Sequence, residues 1–244
     1  IGDSTATADY SFKGATITFE DMHLKTAVEN ANYLGFAHIN NSTVKNCKIT
    51  GRTAYWGYQT ATFEKTTFCA PQDDYALWAY SSATMIFDGC TFNISGKGVN
   101  VYVEGDNATA TARTIKVKDC TVTSSKSNKA FLNIKNSTQA YDVEITGKNT
   151  VNGLTADGTT GSNLYQVETT IVTETSGNEV TVKQENAAGE LETVYEVKAA
   201  AGVAKIGDKS YKTLADAIAA AKDGETVTLL DNVTEDVTIT TDIT

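Results

Sequence analysis

Apolar residues in this chain recur in a short pattern, not in long runs. Laid one under another, the segments FEDMHL (19–24), VKNCKI (44–49), FEKTTF (63–68), FDGCTF (87–92), VKDCTV (117–122) and AYDVEI (140–145) share one register. An apolar residue opens each: Phe19, Val44, Phe63, Phe87, Val117 and Ala140. A small or apolar residue stands fourth, at Met22, Cys47, Thr66, Cys90, Cys120 and Val143, with successive spacings of 25, 19, 24, 30 and 23. An apolar residue closes each, from Leu24 to Ile145. Self-similarity at a period of about 24 residues is the mark of a solenoid, in which each unit covers its neighbour's core.

Strand alternation explains the two ends of each unit but not the step of three from first to fourth position. A bend must lie between. The residue before the fourth position is Asp21, Asn46, Lys65, Gly89, Asp119 or Asp142, and five of these six are types that tolerate a left-handed backbone. A further strand precedes each unit: FAHI (36–39), YWGY (55–58), LWAY (77–80), VYV (101–103) and FLNI (131–134). Three short strands per repeat predict an all-β fold, a parallel β-helix of about six rungs with strands about 4.8 Å apart. Over residues 10–150 the corner-plus-small-residue motif resembles the right-handed, pectate-lyase-like parallel β-helix family. That resemblance speaks to fold far more than to activity.

From 166 to 202 the residues alternate apolar and polar around Gly177-Asn178 and Ala188-Gly189. This predicts an antiparallel meander that caps residues 1–165. In 203–244, Leu214, Ala217, Ile218 and Ala221 fall at helical spacing, Gly224 stops the helix, and a strand follows. The stretch AIAAAKDGETVTLL resembles the amino-terminal cap of the same family and a module repeated in tandem in large surface proteins of Gram-positive gut-type bacteria. With the start at Ile1 and the end in VTITTDIT, which reads as a strand, we expect one tandem repeat of a longer chain. Head-to-tail self-association of the terminal segment with another copy's first rung follows as an expectation.

A net charge of -10 with only two arginines, Arg52 and Arg113, disfavours nucleic acid and anionic lipid surfaces as partners. No apolar run nears the ~18 residues a membrane span needs, so no membrane insertion is expected. With only His23 and His38, there is no Cys/His metal spacing. Cys47, Cys90 and Cys120 read as small inward residues of one column. A Cys90–Cys120 bridge on adjacent rungs is geometrically disfavoured, and Cys69 points elsewhere. The sequons at Asn41 and Asn136 read as corner chemistry.

Family lyases hold calcium on clustered carboxylates, whereas here the acidic corners are spread over separate rungs. Asp73-Asp74 is the best pair, a poor dyad and a modest calcium candidate; no other cofactor, no catalytic residue and no metal site is read. Aligning Trp56 and Tyr58 with Trp78 and Tyr80 gives an aromatic patch near Arg52, Asp73 and Asp74 that could stack sugars or anchor a protein. Uniformly apolar columns through Trp56/Trp78 and Tyr58/Tyr80 favour burial of that patch, leaving His38, Gly57, Ala79, Tyr102 and Asn133 as the exposed strip. The expected role is a non-catalytic adhesin module, secreted or displayed on a bacterial cell wall, that binds a host glycan or host glycoprotein. The alternatives are a β-helical polysaccharide lyase or glycoside hydrolase, and a structural spacer in a surface stalk.

Overall fold

The computed structural model describes residues 12–25, 35–71, 75–80, 83–102, 112–125, 130–135, 140–153, 165–168, 179–197, 202–240 and 242–243. In chain order the strands are β1 (Phe12–Glu20), β2 (His23–Lys25), β3 (Gly35–Lys45), β4 (Lys48–Thr50), β5 (Thr53–Glu64), β6 (Thr67–Ala70), β7 (Tyr75–Tyr80), β8 (Thr84–Asp88), β9 (Thr91–Ile94), β10 (Lys97–Tyr102), β11 (Ala112–Lys118), β12 (Thr121–Ser124), β13 (Leu132–Lys135), β14 (Ala140–Thr146) and β15 (Thr150–Asn152). They are followed by β16 (Tyr165–Glu168), β17 (Glu179–Glu185), β18 (Leu191–Val197), β19 (Ala204–Ile206), β20 (Lys209–Tyr211), helix α1 (Leu214–Ala220) and β21 (Val227–Leu229).

The protein is mostly strand, in parallel ladders. One runs β16-β13-β10-β7 onto the first half of β5; a second runs from the other half of β5 through β8, β11 and β14 to β17; a third is β15-β12-β9-β6-β4-β2. The long strands β3 and β5 join the first two ladders, so their expected separate strands are fused. This arrangement is compatible with a parallel β-helix.

Between the second and third ladders each repeat turns on one residue. Asp21, Asn46, Lys65 and Asp119 have φ of 55, 52, 47 and 52°, and Gly89 has 63°. The corners then lock to one another through the backbone: Asn46 N–H donates to Glu64 O at 3.0 Å, and Thr67 N–H to Cys47 O at 2.8 Å. The sixth corner is Gly147 (φ 69°), not Asp142. Val117 pairs with Ile145, yet Val122 pairs with Val151, so this turn carries one extra residue that hid it from the pattern. Asn149 fills the fourth position there, accepting from Cys120 N–H at 2.8 Å. Asp142 lies within β14 and pairs with Lys183 at 3.3 Å.

The fourth-position column explains why cysteine and threonine interchange. Thr66 Oγ1 donates to Val44 O at 2.9 Å, Cys90 Sγ to Phe63 O at 3.2 Å and Cys120 Sγ to Phe87 O at 3.5 Å. Each position needs a short side chain with one donor aimed at the preceding repeat's carbonyl. Cys47, Thr66, Cys90 and Cys120 are buried and the thiols are free. The adjacent Cys120 sulfur and burial push the Cys90 thiol up, which disfavours the reactive thiolate. Met22, expected in the same column, is 39% exposed because no repeat among the described residues precedes it.

Inward from these corners run Phe63, Phe68, Phe87, Phe92 and Phe131, all 0% exposed; Phe68 stacks on Phe92 with centroids 4.4 Å apart. Tyr55, also 0% exposed, shares a hydrogen bond with the Ser42 hydroxyl, which places Asn41-Ser42-Thr43 inside β3 and corrects its reading as a corner. Asn136 lies outside the described residues. Burial pushes the Tyr55 phenol up to about 12, the Ser42 bond pulling the other way. Unfolded tyrosine releases its proton near pH ~10, so the folded state holds this one more tightly. The resulting stability is complete below about pH 10 and is lost as pH rises to about 12, a loss of roughly 2–3 kcal/mol. Urea melts at about pH 8 and about pH 11.5 should show that loss in the wild type and much less of it in Tyr55→Phe.

Among the described residues of the region expected to be a meander, only the hairpin β17–β18 is antiparallel; β16 and β17 extend the parallel ladders. Its turn is closed by Asn186, whose Oδ1 accepts from Ala188 and Glu190 N–H at 2.9 and 3.0 Å, with Gly189 at φ 84°. Gly177-Asn178 lies outside the described residues. In the terminal unit, β20-β19-β21 form a small antiparallel sheet beneath α1. Thr213 caps the helix by accepting from Asp216 N–H at 3.0 Å, and Glu235 accepts from Leu214 and Ala215 N–H at 3.3 and 3.1 Å. Residues 237–240, expected as strand, pair with none.

Candidate functional site

At the start of β5 and β7, Arg52, Tyr75 and Trp78 come together. The Arg52 guanidinium lies over the Tyr75 ring, 5.3 Å from its centroid, and Tyr75 meets Trp78 edge-on at 5.2 Å. Tyr75 is 3% exposed, while Arg52 and Trp78 are half-buried. Stacking a guanidinium on one ring and bracing that ring against another leaves a rigid indole beside a fixed positive charge. Arg52 and Trp78 were foreseen as neighbours; Tyr75 was not, although it opens the same LWAY strand.

The register of the outer columns differs from the expected one. Trp78 pairs with Ala54 on one side and Asn100 on the other, and Trp56 pairs with Tyr80, which in turn pairs with Tyr102. Leu77, Ala79, Val99, Val101, Leu132 and Ile134 form the buried columns of this sheet. Trp78 therefore belongs to the opposite parity and is not core. Trp56, Tyr80 and Tyr102 stand in one backbone column, two residues along from the Trp78 column. Their side chains, with those of Tyr58 and His38, lie outside the described residues, as do Asp73 and Asp74 altogether. The expected exposed strip also fails, since Gly57 and Ala79 are buried and Asn133 is 1% exposed. The difference lies in the pairing of β7, which is offset by two residues from the YWGY alignment on the β5 side and by one from the VYV alignment on the β10 side.

Beyond Trp78 its column turns to amides. Asn133 Nδ2 donates to Asn100 Oδ1 at 2.6 Å, and Asn100 is 4% exposed. Asn133 was placed in the exposed strip and Asn100 was not read, because Asn looks like turn chemistry in a single sequence. Arg113, 2% exposed, is the other surprise: it pairs in register with Tyr141, and burial pushes its guanidinium down against the opposing pull of Tyr141. Among the described residues no three His, Cys, Asp or Glu side chains gather as a metal site. No helix there is long and apolar enough to cross a membrane. Comparison with family models, with curated proteins and with solved structures returned no match.

Proposed function

We propose that this chain is one tandem repeat of a secreted or wall-displayed surface protein, a right-handed parallel β-helix of about six rungs that binds carbohydrate or a glycoprotein without chemically changing it. The observation that carries the reading is the Arg52–Tyr75–Trp78 cluster, bordered in sequence register by the Trp56–Tyr80–Tyr102 column and by Asn100. Aromatic faces stack on sugar rings, and a ring-backed guanidinium selects an acidic or carbonyl group. A ladder of short strands supplies the rigid base such a patch needs.

A glycan and host-glycoprotein array tests this directly. Binding should appear with the wild type and weaken by about 30-fold, or about 2 kcal/mol, in Trp78→Ala. Trp78 is half-buried, so the variant should still fold, as circular dichroism would show. Release of reducing ends or unsaturated sugars from pectin or glycosaminoglycan would replace the proposal with a lyase or hydrolase. A blank array would leave a spacer.

A further inference from the structure

We draw no further inference here: the strongest candidate, the outer face of β6, β9, β12 and β15 on which Thr67, Thr91, Thr121 and Thr150 stand in one column, carries nothing, because nothing in the structure shows what covers it.

Discussion

Phe92→Ala is expected to lower the free energy of unfolding by about 3–5 kcal/mol, the largest single effect in the molecule. Phe92 is 0% exposed and meets three rings: stacked on Phe68 at 4.4 Å, edge-on to Phe131 at 4.6 Å and to Phe87 at 5.7 Å. Each of those rings is held by a strand of a different ladder or by the turn that leads into β13. Backbone ladders on every side keep the walls from collapsing into the space that the ring vacates. Urea unfolding followed by far-UV circular dichroism measures the loss. A loss under about 1 kcal/mol would mean that the interior repacks freely and that the ladders do not set its shape.

Gly98→Ala should cost about 2–4 kcal/mol, although it adds one methyl group. A Cβ there would lie 2.5 Å from Phe131 Cδ2 and 2.7 Å from the Phe131 carbonyl oxygen. The ring is wedged against Phe92 and Phe87, and the backbone beside it receives Val99 N–H at 2.7 Å, so neither can give way. The double variant Gly98→Ala/Phe131→Leu should recover part of the loss if the ring clash dominates. Full additivity of the two single effects in thermal melts would assign the damage to the carbonyl contact instead.

Much of this architecture could be read from residue order because its parts are local. A left-handed corner needs Asn, Asp or Gly within a six-residue segment, and Asp21, Asn46, Gly89 and Asp119 announce theirs; Lys65 shows that a strong repeat can impose the same backbone on a poorly suited residue. The buried thiol column followed from the same register, though its reason, a donor for the preceding carbonyl, required atomic positions. What stayed hidden depends on distance in sequence. The extra residue that precedes Asn149 breaks the six-residue spacing of the last corner, so the pattern settles on Asp142, five positions before the turn at Gly147. The offset pairing of β7 with β5 decides which aromatic stands beside which, and a single sequence does not show it, so Trp78 was read as core and Tyr75 was not read at all. Arg113 was equally opaque, since a single interior guanidinium leaves no periodic trace.

The reversed strand β18 has a bearing on crowding inside a producing cell. A nascent ladder of identical-looking strands is prone to fuse with its neighbours before it is complete, and the hazard doubles if both faces of the stack are receptive. By running backwards along β17 and presenting Glu192 and Glu196 to solvent, β18 replaces the parallel edge of that ladder with a charged antiparallel one, which discourages a further strand.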